Sequence, residues 1–427
     1  MPTTLLQAVT VVDPGSQFHG QVVDIELSAT GISRIDATGT FQSGAAQIID
    51  GNGTFVSPGW VDVGASLCDP GEEWKETQMA LSMAAIKGGF TTLLPYPTSI
   101  PIADNADTII ALNARMGQLP IHIYPIGAAT EHRHGQEMAD LFEMHTVGIK
   151  AFSDGPTAFS QEGTLTRVLR YLQGFDGLLM TGGISSQWAT EGFMHEGEMS
   201  TRLGMPAIPA VMEKIAVQRD IEILEYVGKG RIHFHPLSTP QAIEQVQMAR
   251  QRGLDVSIGV PTYLFAWTDE DMVSFDENLK LIPPLRSKAI VSEISALLAS
   301  GSIDILCSGH RAEGLEEKHV EFMQAAPGML NLQTAYSQVQ QALISTGIIT
   351  LEDWVRMIST GPRARFGLEQ SNIMVGGQEL TWFSPDQTWT LTKSGIPSRA
   401  KNSPHLEATM VGKSLGVFVK GYFHLNY

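Results

Sequence analysis

Residues 231–260, RIHFHPLSTPQAIEQVQMARQRGLDVSIGV, contain two short apolar runs with a helical pattern between them. The runs are RIHFH and DVSIGV, and continuous apolar runs are typical of strands that are buried on both faces, as in a parallel sheet. Ser238 and Thr239 are good N-cap residues, and Pro240 suits the first helical turn. The stretch therefore predicts a strand–helix–strand unit.

The same alternation continues along the middle of the chain, where helical patterns separate further short apolar runs. The runs are Phe55 to Val61, Thr91 to Leu94, Ile121 to Ile126, Gly148 to Phe152, Gly177 to Met180, Arg231 to His235, Asp255 to Val260 and Ile303 to Cys307. Strand–helix units repeated in this number predict an α/β fold with a (β/α)8 TIM-type barrel. A doubly wound open sheet is the alternative, and the number of units favours the barrel.

The two ends of the chain show a different pattern, with β-rich runs and Gly or Asn turns. Residues 3–57 include LLQAVTVV and QVVDIEL, and residues 374–427 include ELTWFSPDQTWTLT and MVGKSLGVFVKGYFHL. We expect one small β-sandwich domain built from residues 1–55 and 374–427, beside a barrel of residues 56–373. Two unrelated β-ribbons are the alternative.

Composition excludes several classes of protein. The 427 residues include 28 Lys and Arg against 45 Asp and Glu, a net charge of −17, which argues against nucleic acid and anionic membranes as partners. With 43% hydrophobic and 17% charged residues, the chain has ordinary globular composition. The two cysteines, Cys68 and Cys307, form no disulfide framework. No signal peptide or membrane-spanning run is recognised, so we expect a cytoplasmic protein.

In a barrel of this kind the chemistry lies at the C-terminal ends of the strands. The residues predicted to lie there are Asp62, Gly64, Ser66, Cys68, Tyr96, Thr98, Lys150, Thr181, His233, His235, Pro236, Ser308, Gly309 and His310. This set is unusual for an active site, because glycines and small hydroxyl residues occupy much of it.

Over nearly its whole length, the sequence resembles the dihydroorotase family of the amidohydrolase superfamily. The motifs that carry the resemblance are SPGWVD, DPGEEWKE, AAIKGGFTTLLPYP, MSTRLGMPAIPAVMEKIAVQRD, LKLIPPLRS, GSIDILCSGH and STGPRARFGL, in that order. Members of the family have a barrel and a small β domain from the two termini, which agrees with the patterns above. The resemblance also implies pyrimidine biosynthesis and the hydrolysis of a cyclic amide.

The family's chemistry uses one or two zinc ions, held by histidines, a carboxylated lysine or aspartate, and an aspartate that also acts as base. Here the positions of those ligands carry residues that bind zinc poorly, and they are Gly64, Ser66, Thr181, Pro236 and Gly309. A local shift would return His235 to the position of Pro236. Lys150 in GIKAF matches the bridging lysine. We therefore predict no bound metal or other cofactor.

The family's substrate contacts are replaced as well. The resemblance implies that an Arg, and an Asn in each of two motifs, hold the substrate, and Cys68, Thr98 and Ile282 stand at those positions. Losing the Arg removes a strong bidentate contact to a carboxylate. Lys150, His233, His235 and His310 remain as candidates for a vestigial pocket.

Other polar residues have simpler interpretations. His132 and His134 form an HxH pair in a polar loop, and we expect them to be solvated. His195 is expected to be structural, and the two cysteines to be buried thiols without an activating base. Glu313, Glu316 and Glu317 are expected to form a solvated face.

Three functions follow from this pattern. The first is a non-catalytic dihydroorotase homologue that acts as a structural or regulatory partner, with aspartate transcarbamoylase as the candidate partner that the resemblance implies, or as a homo-oligomer. The second is an active hydrolase of cyclic amides with a rebuilt site. The third is a metabolite sensor that uses the old pocket without catalysis.

Overall fold

A computed structural model describes residues 3–40 and 47–426. The strands are β1 (Thr4–Val11), β2 (Val22–Ser28), β3 (Gly31–Ala37), β4 (Gln47–Asp50), β5 (Phe55–Ser57), β6 (Trp60–Val63), β7 (Phe90–Leu94), β8 (His122–Ile123), β9 (Thr157–Ala158), β10 (Leu178–Thr181), β11 (Ile184–Ser185), β12 (Met194–His195), β13 (Ala207–Ile208), β14 (Arg231–Phe234), β15 (Asp255–Pro261), β16 (Ile305–Cys307), β17 (Leu380–Thr390), β18 (Thr409–Val419) and β19 (Tyr422–Leu425).

The α-helices alternate with these strands through the middle of the chain, which confirms a mixed α/β fold. They are α1 (Gln78–Gly88), α2 (Ala106–Met116), α3 (Leu141–Thr146), α4 (Glu162–Leu172), α5 (Ser186–Glu191), α6 (Glu198–Leu203), α7 (Ala210–Val227), α8 (Pro240–Gln251), α9 (Lys288–Ala299), α10 (Leu315–Lys318), α11 (Ala335–Val339), α12 (Leu351–Val355) and α13 (Gly361–Arg365). Short 3-10 helices span Glu131–Arg133, Gln173–Phe175, Thr262–Phe265, Asp269–Ser274, Glu277–Leu279 and Lys393–Gly395, and π-helical turns span Gln340–Ile344 and Arg356–Thr360. Among the described helices, none has the length and apolar character needed to cross a membrane.

Strands from both ends of the chain form one eight-stranded sheet. Hydrogen bonds join them in the order β19-β18-β17-β5-β1-β2-β3, and β4 pairs with β1. The sheet buries its own apolar cluster, which includes Leu6, Ile25 and Phe418. The sequence predicted a sandwich of two sheets, whereas these strands belong to one hydrogen-bonded network. The register of β17 against β18 shifts near Trp382 and Ser384, and such bulges let long strands bend.

The first predicted barrel strand, Phe55 to Val61, is two strands in the structure. β5 pairs with β1 and β17 of the terminal sheet, and β6 pairs with β7. Pro58 and Gly59 separate them, because proline has no N–H for a ladder and glycine adds flexibility. The terminal sheet therefore extends two residues beyond the predicted boundary at residue 55.

The middle of the chain contains parallel strands in sequence order. β6, β7 and β8 form one ladder, and β10, β14, β15 and β16 form another. Phe152 connects the two ladders, because it bridges to Gly127 on one side and to Leu179 on the other. The predicted strand Gly148 to Phe152 is therefore reduced to one bridging residue, and the predicted strand Ile121 to Ile126 to the two residues of β8.

The last parallel strand lies beside the first. The backbone N–H and the hydroxyl of Ser308, directly after β16, donate to the two carboxylate oxygens of Asp62 in β6 at 2.6 and 2.8 Å. The Ser66 N–H donates to the carbonyl of His310 at 2.9 Å. Strands that would form the two edges of an open sheet are thus held together, which favours the predicted barrel over the doubly wound alternative.

The long helix α8 lies where the sequence pattern predicts it, and α1 and α7 are two further long helices of the middle of the chain. The Thr77 hydroxyl caps α1 by accepting from the Ala80 N–H, and Gly89 ends this helix in a left-handed conformation with φ of 94°. Pro240 occupies the first turn of α8. These caps place the end of each helix close to the start of the next strand.

An aromatic cluster around Trp60 fixes the first parallel strand against the terminal sheet. The Trp60 ring contacts those of Phe90, Tyr336, Trp354 and Phe383, with centroids 5.1 to 6.1 Å apart. Its indole N–H donates to the Ser57 hydroxyl at 2.9 Å. Since Trp60 is fully buried, the cluster sets the position from which β6 runs toward the candidate site.

Candidate functional site

A cavity of about 200 Å3 opens where the parallel strands end. Its walls include residues that directly follow β6, β7, β14, β15 and β16. The family positions that the sequence shows as substituted and that line this cavity are Gly64, Ser66, Cys68, Thr98, Pro236, Ile282 and Gly309. The positions that the sequence analysis singled out therefore lie close together in the structure, although their side chains carry few metal-binding atoms.

Gly64, where the resemblance implies the first metal ligand of the family, has no room for a side chain. Its φ is +83°, and a Cβ atom there would lie 2.7 Å from Nε2 of His235 and 2.9 Å from Cε2 of Tyr96. Both distances are shorter than van der Waals contact. The Tyr96 hydroxyl donates to the His235 carbonyl at 3.2 Å, which holds the two rings in place. Tyr96 and His235 thus occupy the space that a histidine at this position would need.

Gly309 shows the same feature at the position of the family's aspartate. Its φ is +65°, and a Cβ atom would lie 2.7 Å from Cε1 of Tyr263. The Tyr263 ring is buried, and its hydroxyl donates to the carbonyl of Pro283 at 3.0 Å. A larger side chain at position 309 would therefore have to displace a fixed aromatic ring.

Ser66 and Cys68 have structural contacts. The Ser66 hydroxyl accepts from the Ala312 N–H at 3.3 Å and lies 3.9 Å from the Cys68 sulfur. Burial, together with the nearby Glu76 carboxylate, raises the pKa of Cys68 to about 12. Burial also raises the pKa of Cys307. Both thiols are therefore protonated at neutral pH and are poor nucleophiles.

The substituted substrate contacts offer little to a ligand. The Thr98 hydroxyl accepts from the Leu67 N–H at 2.7 Å and donates to the Leu67 carbonyl at 3.1 Å, so both functions of this hydroxyl are used. Ile282 presents only carbon atoms to the cavity. Thr98 therefore ties the loop after β7 to the loop after β6.

His233 lies in β14, and His235 directly follows this strand. Nδ1 of His233 hydrogen-bonds the Ser257 hydroxyl at 2.8 Å, and the two imidazole centroids are 5.2 Å apart. Within the described part of the chain, Nε2 of His233 and Nδ1 of His235 have no hydrogen-bond partner. Burial lowers the pKa of His235 to about 3, although a hydrogen bond to the Val63 backbone acts in the opposite direction. Burial also lowers the pKa of His233, and the neighbouring His235 lowers it further. Both rings are neutral, and only His235 reaches the cavity.

His310 lines the cavity, but both of its nitrogens are engaged. Nε2 lies 3.1 and 3.2 Å from the carboxylate oxygens of Glu76, and Nδ1 accepts from the N–H groups of Asn331 and Leu332 at 3.1 and 3.3 Å. The Ser398 hydroxyl donates to the same carboxylate. This arrangement is typical of a histidine that fixes loops, and it leaves no free nitrogen for catalysis.

Lys150 and Thr181 do not line the cavity, although Thr181 is the last residue of β10, as predicted for a strand end. Lys150 borders a separate open depression together with His122, Tyr124 and Lys420, near the start of β8. The Thr181 hydroxyl donates to Asp220 at 3.5 Å. Among the described residues, the strand pairing nearest to Lys150 is at Phe152, so Lys150 precedes this short segment and lies away from its C-terminal end.

A charged cluster at the cavity was not expected from the sequence. The ammonium group of Lys75 lies 2.9 Å from Glu72, 2.9 Å from Glu313 and 3.0 Å from Glu317. Burial lowers the pKa of Lys75, but these carboxylates raise it more, so the net shift is upward. Glu313 is 2% exposed and also accepts from Arg311 at 2.6 Å. The prediction of a solvated face is therefore wrong for Glu313, because the residue is buried and its charge is paired with the buried Lys75 and the exposed Arg311.

Arg133, between the two histidines of the loop after β8, was also missed. His132 is exposed and lies 3.4 Å from Asp104, whereas the Arg133 side chain turns into the cavity. Its Nε donates to the Asp154 carbonyl at 3.0 Å, and burial lowers its pKa. The Asp154 carboxylate accepts from the Thr130 N–H and hydroxyl at 2.9 and 2.6 Å. In the sequence, Arg133 is only a basic residue in a polar loop. Such residues are common on protein surfaces, so the pattern does not indicate a side chain that lines a cavity.

The motifs that carry the family resemblance meet in a buried network beside the cavity. The Glu213 carboxylate accepts from the N–H groups and hydroxyls of Ser238 and Thr239 at 2.6 to 3.0 Å, and it lies 3.2 Å from Arg286. Both ionic partners are fully buried. Nη1 of Arg286 lies 3.3 Å from Nδ1 of His195, whose pKa is lowered by burial and by Arg286 to about 4. The network fixes the loop that follows His235.

The donor atoms needed for a metal site do not converge. Within residues 3–40 and 47–426, no group of three or more His, Cys, Asp or Glu side chains could hold a metal ion. Asp62 is the remaining acid of the first family motif. Both of its carboxylate oxygens accept hydrogen bonds from Ser308, and burial raises its pKa to about 6.

The chain is similar to known proteins along its whole length. A family model described as dihydro-orotase-like matches residues 53–238. Relatives named dihydroorotase include one from Trichlorobacter lovleyi, 32% identical over 98% of both chains, and one from Syntrophus aciditrophicus, 30% identical over 98% of both chains. Among solved structures, an L-hydantoinase (dihydropyrimidinase) from Arthrobacter aurescens covers 99% of this chain and 96% of its own, with a TM-score of 0.85 and 21% identity.

The structural similarity shows that this chain shares the hydantoinase fold. The sequence similarity extends over nearly all of this chain and of the two dihydroorotases, and an identity of 30% or more over this length indicates membership of one family. The chain therefore belongs to the dihydroorotase family.

Proposed function

We propose that this protein is a non-catalytic member of the dihydroorotase family that serves pyrimidine biosynthesis in the cytoplasm as a structural partner of another enzyme. Its parallel strands would form the closed (β/α)8 barrel of the family, with the terminal sheet as a separate small domain. The candidate partner is aspartate transcarbamoylase, which the sequence resemblance implies.

The observation that carries the proposal is the packing at Gly64 and Gly309. At both positions an aromatic or imidazole ring lies closer than 3.0 Å to the point where a Cβ atom would be. Substitution of a ligand alone would leave its place empty, but here fixed rings occupy the space beside both glycines, at the wall of the cavity that remains. The residues present do not fit a zinc ion, so no step of the family's metal chemistry is assigned to this chain.

The remaining polar groups do not supply another route to hydrolysis. A general base needs a free acceptor at a pKa near the working pH. His310 is bonded at both nitrogens, and His235 has a pKa of about 3. Both thiols are protonated. Losing a single transition-state interaction typically costs about 10²–10³ in rate, and here metal, base and substrate clamp are replaced together.

A partner role is supported by exposed apolar side chains near the cavity mouth. Trp74, Ile100 and Leu315 are 57%, 60% and 66% exposed. Trp74 lies beside Gly314, directly before Leu315, and Ile100 lies against Gly71 in the loop that carries Trp74. Large exposed apolar side chains grouped on loops are typical of protein–protein contact.

The catalytic part of the proposal is tested by assaying hydrolysis and formation of L-dihydroorotate, with and without added zinc. The dihydroorotase from Trichlorobacter lovleyi serves as the positive control. We expect no turnover by this protein above the uncatalysed rate. Turnover that survives repurification and scales with protein concentration would refute the proposal.

The partner role is tested by size-exclusion chromatography with the aspartate transcarbamoylase of the same cell. We expect the mixture to elute at larger mass than either protein, and Trp74→Ser with Leu315→Ser to abolish the shift. Tyr226→Ser, on α7 and 73% exposed, is the matched control and should keep it. Separate elution of the wild-type proteins at micromolar concentration contradicts the partner, and larger mass of this protein alone indicates self-assembly.

A further inference from the structure

The depression that Lys150 borders lies on the N-terminal side of the parallel strands, away from the cavity at their C-terminal ends. His122 on its wall is the first residue of β8, and Lys150 lies two residues before the pairing at Phe152. Its volume of about 430 Å3 falls in the range of roughly 300–1,000 Å3 that is usual for small-molecule sites. None of the described residues that line it also lines the cavity, so the two spaces are separate.

The charged side chains on the wall of this depression are cations. Lys150 and Lys420 line it, and none of the described residues that line it is an Asp or a Glu. The ammonium group of Lys150 forms no hydrogen bond or ion pair with the described residues. Since the whole chain carries a net charge of −17, the attraction for an anion is local to this surface.

Two helix ends lie at the depression, and they do not cancel the charge of the lysines. The C-terminal carbonyls of α2 and α3 would repel an anion if they were free. The Lys420 ammonium group donates to the carbonyls of Leu119 and Gly117 at 2.8 and 3.5 Å. The amide of Asn113 donates to the Val147 carbonyl at 3.4 Å. These carbonyls are therefore engaged, and because an ammonium group has three N–H donors, Lys420 keeps one for a ligand.

Two rings provide flat surface beside the lysines. His122 and Tyr124 both line the depression, with ring planes 9° from parallel and centroids 6.2 Å apart. Burial lowers the pKa of His122, so its ring is neutral at pH 7. The Glu379 carboxylate lies 3.7 Å from Nε2 of His122, but it is paired with Arg363 at 2.6 Å. The rings therefore offer an uncharged surface on which an aromatic ligand can stack.

We propose that this depression binds a phosphate monoester that carries an aromatic ring, such as a nucleoside monophosphate. The phosphate contacts Lys150 and Lys420, because lysine binds phosphate as a point charge. The charge of about −2 on a phosphate monoester matches two ammonium groups, which favours this class over a monocarboxylate. The ring of the ligand stacks on Tyr124 or His122. Because the site lies on the opposite side of the strands from the cavity, the ligand is regulatory and is not a substrate.

Isothermal titration calorimetry on the full chain tests this inference, with adenosine 5′-monophosphate (AMP), adenosine and inorganic phosphate as probes. We expect AMP to bind at one site per chain with a dissociation constant below about 1 mM. Adenosine lacks the phosphate and inorganic phosphate lacks the ring, so each should bind at least about tenfold more weakly than AMP.

Variants separate the two parts of the site. Lys150→Gln should weaken AMP binding by about tenfold and leave adenosine binding unchanged, since only the contact with phosphate is lost. Tyr124→Leu should weaken AMP binding by about fivefold or more and leave phosphate binding unchanged. Lys288→Gln is the matched control for Lys150→Gln, because Lys288 is an exposed lysine at the start of α9, and it should bind AMP like the wild type.

Any of four results would overturn the inference. They are no saturable AMP binding up to about 10 mM, equal AMP affinity of Lys150→Gln and the wild type, an equal loss in Lys288→Gln, and phosphate binding as tight as that of AMP. If Lys150→Gln fails to fold, the salt dependence of the wild type replaces it. Added sodium chloride should then weaken the binding of AMP but not that of adenosine, and equal salt dependence of the two would contradict a phosphate contact. The inference does not rest on the proposed function, because binding is read without any measurement of turnover or of a partner.

Discussion

Replacing Gly64 with alanine adds only the Cβ atom that every other residue would place at this wall of the cavity. An L-residue in the left-handed region costs about 1–2 kcal/mol. The new atom would also lie 2.7 Å from His235 and 2.9 Å from Tyr96, and overpacking of a buried site typically costs about 1–3 kcal/mol. We therefore expect Gly64→Ala to reduce the free energy of unfolding by roughly 2–5 kcal/mol, the sum of these two costs.

Gly253→Ala separates the two contributions. Gly253 has φ of +90°, close to the +83° of Gly64, but nothing lies within 4 Å of its Cβ position. Urea unfolding followed by circular dichroism should show only the backbone cost in this control, about 1–2 kcal/mol. In a His235→Ala background, Gly64→Ala should cost less than in the wild type. Equal losses for the two glycine variants would refute the filled pocket, and a histidine at position 64 would then fit without rearrangement.

Three further predictions follow from the site and its surroundings. Arg286→Met leaves the Glu213 carboxylate buried without its cation, so urea unfolding should show a loss of about 3–5 kcal/mol, and a loss below 1 kcal/mol would contradict the buried pair. Burial lowers the pKa of His235 to about 3, so between about pH 6.5 and 3 the unfolded chain binds a proton that the folded chain does not, and this residue makes stability fall as pH falls. Asp62 acts in the opposite sense, because its pKa is raised to about 6 and the folded chain binds the extra proton between about pH 6 and 3.8. Because His235→Gln removes only the contribution of the histidine, the melting temperature of this variant should fall less steeply with acid than that of the wild type. Equal slopes would contradict the lowered pKa of His235. Equimolar zinc or excess EDTA should leave the melting temperature unchanged, because the described residues form no three-ligand site, and stabilisation by zinc would show that a site assembles.

The sequence predicts the middle of the fold well where a strand and its helix are both long. The stretch of residues 231–260 forms β14, α8 and β15 within a residue or two of the predicted bounds. The predicted strand at Gly148 to Phe152 is almost absent, because Gly148 takes a left-handed φ of +100° and only Phe152 reaches both neighbours. Apolar character alone could not show this, since a buried loop segment and a buried strand have the same composition.

The candidate site was predictable in one respect and unpredictable in another. The resemblance predicts which positions lack the family's ligands, and all of these positions except Thr181 line one cavity. What fills the cavity depends on Tyr96, Tyr263 and Arg133, which come from three different loops. Nothing local in the sequence indicates that Tyr96 covers Gly64 or that Arg133 turns inward. Lys150 fails for a related reason, because a shift of a few residues along a short strand moves a side chain from one end of it to the other.

The family motifs in this chain fall into two groups with different physical roles. Glu213 and Arg286 lie in motifs that make the resemblance recognisable, and with Ser238 and Thr239 they form a buried network whose members depend on one another. Removing one member of such a network leaves an unpaired charge in the interior, which costs several times more than a surface change. Gly64 and Gly309 belong to the other group, because the sequence resemblance implies metal-binding residues at their positions. In the proposed non-catalytic role the chain can lose the second group while it keeps the first, and the fold remains recognisable for as long as its own stability depends on that network.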